Sequence, residues 1–184
     1  ENLKKENLND NVYVVGNTIV EVCNKYKKNI LTEPKKKNFI LLDIHRPENF
    51  KYKNRIQNIL LYANKCIKLY NVKVKMLHFK RTFKYIKDFD LDLGDIEVID
   101  LLPYNDYLKH SYDSLFIISD SGTAQEEPAL FNTPVIVPRD YTERPQSITT
   151  NCSYMLDVNN VTNFDRSYNW LSKQFNNETI THYI

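Results

Sequence analysis

Short apolar runs alternate with longer amphipathic segments along this chain, and this alternation constrains the fold more than any other feature of the sequence. The apolar runs predict strands at residues 12–15, 39–44, 72–77, 96–99, 115–118, 134–137 and 154–156, the last at an edge of the sheet. The amphipathic patterns predict helices at residues 18–28, 53–69, 82–87, 104–112, 124–131, 144–150 and 161–175. Repeated strand–helix units of this length predict an α/β fold in which a parallel sheet carries helices on both faces.

Polar clusters follow three of the predicted strands. The sequence His-Arg-Pro-Glu-Asn at residues 45–49 follows the second strand, Asp-Ser-Gly at residues 120–122 follows the fifth, and Arg-Asp at residues 139–140 follows the sixth. The carboxyl ends of parallel strands lie at one edge of a sheet, and ligands of such folds bind there. We therefore expect these three clusters to share one site.

The Asp-Ser-Gly turn at residues 120–122 leads from a predicted buried strand into the predicted helix at residues 124–131. Unpaired backbone N–H groups and the positive pole of the helix dipole at such a turn bind anions, most often phosphate. Glu126 and Glu127 lie further along that helix, where a carboxylate suits a sugar hydroxyl instead of a phosphate. The pattern predicts a nucleotide-diphosphate site with a carboxylate that holds the ribose.

Composition limits the classes of protein to consider. A length of 184 residues suits one domain or half of a two-domain enzyme, and a formal net charge of +2 provides no strong field for nucleic acid. Cys23, Cys66 and Cys152 form an odd set without paired spacing, which argues against a disulfide framework or a zinc site. We see no signal peptide and no run that could span a bilayer, so we expect a cytoplasmic protein without a membrane partner.

Four motifs resemble those of one family. They are Gly-Asn-Thr at 16–18, His-Arg-Pro-Glu-Asn at 45–49, Asp-Ser-Gly-Thr-Ala-Gln-Glu-Glu at 120–127 and Arg-Asp-Tyr-Thr-Glu-Arg-Pro at 139–145. Their order and spacing are similar to those of the non-hydrolysing UDP-N-acetylglucosamine 2-epimerases, but only to the C-terminal half of that family. The resemblance implies that residues 1–184 form a Rossmann-like nucleotide-sugar-binding domain, the C-terminal half of a glycosyltransferase-B type fold. Because the chain also begins with Glu1 in a polar stretch, we expect an excised fragment or a processed chain without the first domain.

The resemblance implies an isomerase that acts on a UDP-N-acetylhexosamine in polysaccharide biosynthesis. Members of the family eliminate UDP to form a glycal, and they add UDP back after the C2 proton has exchanged to the other face. This chemistry needs no metal and no nicotinamide cofactor, and the full-length enzyme is expected to be a homodimer. The carboxylates that handle the C2 proton belong mostly to the first domain, so we expect the isolated chain to be inactive.

The family's functional residues carry over through the matched motifs. His45 matches the active-site histidine. The nucleotide-binding set comprises Ser121, Gly122 and Thr123 at the diphosphate, Glu127 at the ribose, Arg144 toward the phosphates and Tyr107 beside the uracil. Support is expected from Arg46 and Glu126, from Glu143 as a partner of Arg144, and from Glu48 as a partner of His45; the alternative for Glu126 is an exposed helix charge. His78 matches a histidine that binds a second, activating UDP-sugar in bacterial members, although the Asn-Pro that accompanies it there is missing here.

Several alternatives stay open from the sequence. Thr123 stands where many members have glycine, and this form is similar to that of relatives acting on 6-deoxy-N-acetylhexosamine nucleotides. The substrate is therefore UDP-N-acetylglucosamine or a 6-deoxy relative, such as a precursor of N-acetyl-rhamnosamine or N-acetyl-fucosamine. A stand-alone nucleotide-sugar-binding or regulatory module is the second class, and a glycosyltransferase domain, against which residues 45–49 and 142–145 argue, is the third. A natural gene product of roughly 350 to 400 residues, two domains of common size, would favour the epimerase over the module.

Overall fold

The computed structural model describes residues 2–8, 10, 12–13 and 15–176, and its strands form one parallel sheet. The six strands are β1 (Phe39–Asp43), β2 (Lys73–Leu77), β3 (Glu97–Ile99), β4 (Ile117–Ser119), β5 (Val135–Val137) and β6 (Ser153–Met155). Their order across the sheet is β3-β2-β1-β4-β5-β6. In the register, Leu41 of β1 lies between Lys75 of β2 and Ile117 of β4.

Eight α-helices precede, connect and follow the strands in the described part of the chain. They are α1 (Asn2–Lys5), α2 (Thr18–Ile30), α3 (Pro47–Phe50), α4 (Lys53–Tyr70), α5 (Lys80–Asp88), α6 (Tyr104–Asp113), α7 (Pro145–Thr149) and α8 (Phe164–Asn176). The side chain of Asn17 accepts a hydrogen bond from the Ile19 N–H and so begins α2, and Asn71 ends α4 in the left-handed conformation. No described helix is both long and apolar enough to cross a membrane.

The sheet separates two apolar layers. Side chains alternate along a strand, so Ile40 and Leu42 of β1 pack on one face with Ile59 of α4 and Leu171 of α8. Leu41 points to the opposite face, which α6 covers. All five residues of β1 are buried, which explains why this strand has a nearly uninterrupted apolar sequence.

The centre of the sheet contains a switch point between β1 and β4. From β1 the chain continues to β2 on one side, whereas from β4 it continues to β5 on the other. Open α/β sheets bind ligands in the crevice at such a point, beside the carboxyl ends of the strands. The loops that begin there contain residues 45–49 and residues 120–122.

The prediction of a three-layer α/β fold with a parallel sheet is confirmed, as is the edge position of the last strand. The prediction of a strand at residues 12–15 is wrong for the three of its residues that the structure describes. Val12, Tyr13 and Val15 are not in a strand, and Tyr13 and Val15 are 81% and 79% exposed. Val14 lies outside the described residues. An apolar run becomes a strand only where a neighbouring strand can pair with it. The edge strands of this sheet are β3 and β6, and no described residue of the run pairs with either of them.

The prediction of an α-helix at residues 124–131 is also wrong. Two short 3-10 turns replace it, at Thr123–Gln125 and Pro128–Phe131. Pro128 has no N–H to donate to the carbonyl of Ala124, which prevents the α-helical hydrogen bond at that step. An α-helix dipole therefore cannot favour an anion at residues 120–122, because short 3-10 turns, and not an α-helix, follow that loop.

Candidate functional site

Asp120 joins the two loops at the switch point. Its Oδ1 accepts a hydrogen bond of 3.0 Å from the backbone N–H of His45, and its Oδ2 accepts one of 3.0 Å from the N–H of Arg46. The side-chain amide of Asn49 donates a further bond of 2.9 Å to Oδ2. Burial raises the pKa of Asp120, and these hydrogen bonds oppose that increase. The predicted meeting of the first two polar clusters is therefore present, with Asp120 at its centre.

The third polar cluster joins the same site through Asn49. The Asn49 amide also donates to the carbonyl of Pro138 at 2.9 Å, and Arg55 Nε donates to Asn49 Oδ1 at 3.2 Å. Arg55 Nη1 then pairs with Asp140 Oδ1 at 2.9 Å. The loops after β1, β4 and β5 are thus connected by buried polar contacts, as the sequence predicts.

His45 lies at the carboxyl end of β1 with its ring held on two sides. Its Nδ1 is 2.8 Å from Asp43 Oδ1, and its ring centre is 4.9 Å from that of Phe79. The bond to Asp43 raises the pKa of His45, and burial opposes that increase. The imidazole borders a cavity of about 550 Å³, which is also lined by His78, Phe79, Arg81, Asp100 and Leu101.

The loop at residues 121–123 presents backbone N–H groups next to a cation. The N–H of Ser121 donates to Ser119 Oγ at 3.0 Å, whereas those of Gly122 and Thr123 donate to no acceptor among the described residues. A Cβ at Gly122 would lie 3.8 Å from Nη2 of Arg46, so the guanidinium packs beside this backbone. The Nε of Arg46 is buried and has no hydrogen-bond partner in the described part of the chain. The arrangement suits an anion, for which the loop N–H groups and Arg46 supply donors.

Glu126 is buried and connects two of the sequence motifs. Its Oε1 accepts from the side chain of Asn17 at 2.9 Å, and its Oε2 is 3.0 Å from Nε of Arg144. The alternative of an exposed helix charge is therefore wrong, because Glu126 is 7% exposed. The supporting role expected for Glu126 stays a prediction, and the contact with Arg144 is consistent with it.

Glu127 is only 3% exposed and has a tyrosine as its neighbour. The hydroxyl of Tyr104 donates to Glu127 Oε1 at 2.9 Å, and Cys23 Sγ lies 3.9 Å from that hydroxyl. Burial raises the pKa of Glu127 to about 7, against the lowering effect of the Tyr104 bond. Glu127 is thus a buried carboxylate whose charge changes near neutral pH.

The expected partners of Glu143 and Glu48 are wrong. Glu143 forms a paired contact with the guanidinium of Arg139, at 2.8 and 3.0 Å, and this pairing lowers its pKa to about 2. Glu48 Oε1 lies 3.5 Å from Nε of the same Arg139. The carboxylates of Glu48 and Glu143 therefore both lie beside Arg139. The carboxylate beside Arg144 is that of Glu126.

Tyr107 and His78 have surroundings that bear on their expected roles. The ring of Tyr107 is half-buried against the smaller apolar core, and its hydroxyl is 3.5 Å from Asp43 Oδ2. His78 donates its backbone N–H to Ile99 at 2.9 Å, and its ring lies 4.3 Å from that of Phe83. Stacking on uracil and binding of a second nucleotide-sugar stay predictions for these two residues.

Asp43, His45 and Asp120 bring three potential metal-ligating groups within 4.8 Å of one another. All four carboxylate oxygens already accept hydrogen bonds from protein donors, with Ser119 and the imidazole bonded to Asp43. The donors explain the geometry of the cluster, so we do not identify these residues as metal ligands.

Several residues of this site had no role in the sequence predictions, among them Asp43, Asn17 and Tyr104. Asp43 is a carboxylate within an apolar run, which is unusual enough to have signalled a polar partner. Asn17 lies within the quoted Gly-Asn-Thr motif but received no role. Tyr104 carried no local signal, because its contact with Glu127 joins positions 23 residues apart in the chain.

The fold and the site define a Rossmann-like α/β domain of the kind that forms the C-terminal half of glycosyltransferase-B type proteins. The family model for UDP-N-acetylglucosamine 2-epimerase matches residues 1–178. The chain belongs to the UDP-N-acetylglucosamine 2-epimerase family.

Individual relatives match over most of this chain. UDP-N-acetylglucosamine 2-epimerase of Methanocaldococcus jannaschii is 29% identical over 86% of this chain and 48% of its own length. A crystal structure of the M. jannaschii enzyme in complex with UDP-GlcNAc and UDP has a TM-score of 0.81 at 26% identity, covering 96% of this chain and 52% of that one. A UDP co-structure of S. aureus MnaA has a TM-score of 0.73 at 28% identity, covering 98% and 50%. The chain spans about half the length of the curated relatives it matches.

Proposed function

We propose that this chain is the UDP-binding half of a UDP-N-acetylhexosamine 2-epimerase. The observation that carries the proposal is the joining of the three sequence motifs at Asp120 and Asn49, which supports one shared site for His45, Arg46 and the loop at residues 121–123. Family membership and the UDP complexes of relatives support UDP as the nucleotide.

Each part of the nucleotide has a matching group in this proposal. The diphosphate binds to the N–H groups and hydroxyls of residues 121–123, with Arg46 and Arg144 supplying positive charge. The ribose hydroxyls donate to Glu127, which is already oriented by Tyr104. The uracil lies beside Tyr107, and backbone groups near residues 102–107 contact its edge.

The chemistry of C2 inversion requires more than this chain offers. Elimination of UDP needs a base at C2, and re-addition needs an acid on the opposite face of the sugar ring. His45 can hold or deliver a proton at one face only, because one imidazole cannot serve both. We assign the remaining carboxylates to a first domain, whose closure also excludes water from the glycal. The isolated chain is therefore expected to bind UDP without catalysing inversion at C2 of the sugar.

The sugar is a UDP-N-acetylhexosamine, either UDP-N-acetylglucosamine or a 6-deoxy relative. Thr123 supports the 6-deoxy alternative through its likeness to relatives with that substrate, and its hydroxyl lies 3.2 Å from that of Ser121. A cytoplasmic homodimer is the proposed form of the full-length enzyme, on the basis of the family resemblance. Comparison of turnover between the two sugar nucleotides in a two-domain protein would decide the substrate.

Calorimetry with UDP tests the site. Ser121→Ala, Glu127→Ala and Arg144→Ala should each weaken binding by about tenfold or more, since each removes a hydrogen bond that involves a charged group. Ser172→Ala and Arg166→Ala on the exposed side of α8 are matched controls and should leave the affinity unchanged. Unchanged affinity in all three site variants would refute the assignment.

A stand-alone nucleotide-sugar-binding module is the second candidate. The observation that favours it is that every proposed nucleotide-binding group lies within the residues that the structure describes. The length of the natural gene product separates the two candidates, because the module predicts a product of this length alone.

A further inference from the structure

A buried carboxylate stands at the end of an otherwise apolar strand. Asp43 is 4% exposed and closes β1 after four buried apolar residues. Its Oδ1 is 2.8 Å from Nδ1 of His45, while its Oδ2 accepts a hydrogen bond of 3.1 Å from Ser119 Oγ. Burial of a carboxylate costs free energy that hydrogen bonds must offset, so a valine or isoleucine would suit the strand better. The presence of Asp43 in an apolar strand therefore points to a role other than stabilising the fold.

We propose that Asp43 is a positioning residue that holds the imidazole of His45 in one tautomer, with Nδ1 protonated and Nε2 left to face the sugar. This inference rests on the proposed function, in which His45 is the active-site histidine. The second ring nitrogen of a histidine takes its state from the hydrogen bond that the first one makes, and Asp43 is an acceptor only.

The competing acceptor for the imidazole is Asp120, and the geometry excludes it. Asp120 Oδ1 is 3.6 Å from Nδ1 of His45, and it already accepts the backbone N–H of the same residue at 3.0 Å. Phe79 packs against the ring at 4.9 Å between centres and limits its rotation. Asp43 therefore fixes the tautomer, whereas Asp120 fixes the backbone.

Asp43 also connects the imidazole to the diphosphate loop. Ser119 Oγ donates to Asp43 Oδ2 and accepts the N–H of Ser121 at 3.0 Å. A ligand that orders Ser121 thus acts on the residue that orients His45. The Asp43 carboxylate is therefore linked both to His45, which is proposed to face the sugar, and, through Ser119, to the loop that is proposed to bind the diphosphate.

The titration of His45 reports on this contact. Asp43 and Asp120 stabilise the protonated ring, Arg46 and burial oppose it, and His78, Lys80, Arg81 and Asp100 line the adjoining cavity. The hydrogen bond that His45 donates to Asp43 is the largest of these influences on the pKa of His45. Replacement of Asp43 alone should therefore shift the titration downward.

The test is long-range ¹H–¹⁵N NMR of the histidines of this chain from pH 5 to 9, with His45→Gln to assign the resonances. In the wild type the neutral ring of His45 should carry its proton on Nδ1. Asp43→Ala should shift the proton to Nε2, and Asp43→Asn should lower the titration midpoint by about one pH unit or more. Asp113→Asn removes another buried carboxylate, far along the chain on α6, and should change neither property.

Folding and nucleotide binding are measured on the same samples. The amide spectrum of Asp43→Asn, which keeps the shape of the side chain, establishes that the variant is folded. A wild-type neutral ring protonated on Nε2, or an unchanged tautomer and midpoint in both Asp43 variants, would overturn the positioning role even if UDP binds. If UDP fails to bind while the Asp43-dependent shift is present, the proposed function fails and the positioning role stands.

Discussion

Glu126 holds Arg144 through an ion pair of 3.0 Å between Oε2 and Nε, although Glu143 is the adjacent residue in the sequence. The other oxygen of Glu126 accepts from Asn17, so one buried carboxylate ties the start of α2 to the proposed phosphate-binding arginine. Glu143 instead pairs with Arg139. The orientation of Arg144 therefore depends on a residue that lies 18 positions away in the chain.

Glu126→Gln should weaken UDP binding about threefold to tenfold in calorimetry. The glutamine keeps an acceptor for Asn17 but loses the charge that orients Arg144, so the arginine must be ordered when the ligand binds. Glu143→Gln is the matched control, because it breaks the pair with Arg139 and leaves that of Arg144. Unchanged or tighter binding in Glu126→Gln would mean that Glu126 offsets the charge of Arg144 instead of orienting it.

Glu127→Gln should stabilise the protein at pH 8 and have little effect near pH 5. Burial raises the pKa of Glu127 from 4.5 to about 7, so the folded state binds a proton that the unfolded state releases between these values. The stability that this group contributes is fully present below pH 4.5 and is lost as the pH rises through 7. The neutral glutamine avoids that loss, which is on the order of 1–3 kcal/mol.

Urea unfolding of both proteins at pH 5 and pH 8 measures this difference. Glu33→Gln, at an exposed position, controls for removal of one negative charge and should show no comparable pH dependence. Equal stability of Glu127→Gln and the wild type at pH 8 would show that Glu127 ionises without penalty and has water or another donor beside it.

UDP should bind at least about tenfold more tightly than ADP. A half-buried tyrosine ring can stack on any base, so selectivity must come from backbone groups near residues 102–107 that meet the uracil edge. Competition of ADP against UDP in calorimetry measures the ratio. Equal affinities would contradict the placement of the base beside Tyr107.

The sequence was sufficient to predict the sheet, because each inner strand carries its own apolar run. It also located the three loops of the site, since the carboxyl ends of parallel strands always share an edge. The prediction of a strand at residues 12–15 is wrong because an apolar run must also lie beside a sheet edge with which it can pair. The local sequence pattern does not show whether such an edge is present. Pro128 was visible in the sequence, and its missing N–H should have shortened the predicted helix.

Partners of individual side chains were harder to predict than their positions. His45 contacts the carboxylate of Asp43 and not that of Glu48. Asp43 is the last residue of β1, so its side chain lies at the carboxyl end of the strand, beside His45. Arg139 binds both carboxylates that the sequence had placed elsewhere. Such pairings follow from distances across loops that only the assembled fold fixes.

Solvent exchange at C2 of the sugar shows whether the acid–base chemistry needs a second domain in addition to this chain. A UDP-N-acetylhexosamine in D₂O is followed by NMR with the isolated chain and with a two-domain protein that joins this chain to a first domain of the family. We predict deuterium at C2 with the two-domain protein and none with the isolated chain, even where calorimetry shows that the chain binds UDP. Exchange that is catalysed by the isolated chain and abolished by His45→Ala would contradict this prediction, because the acid–base groups would then lie in this chain and not in the first domain.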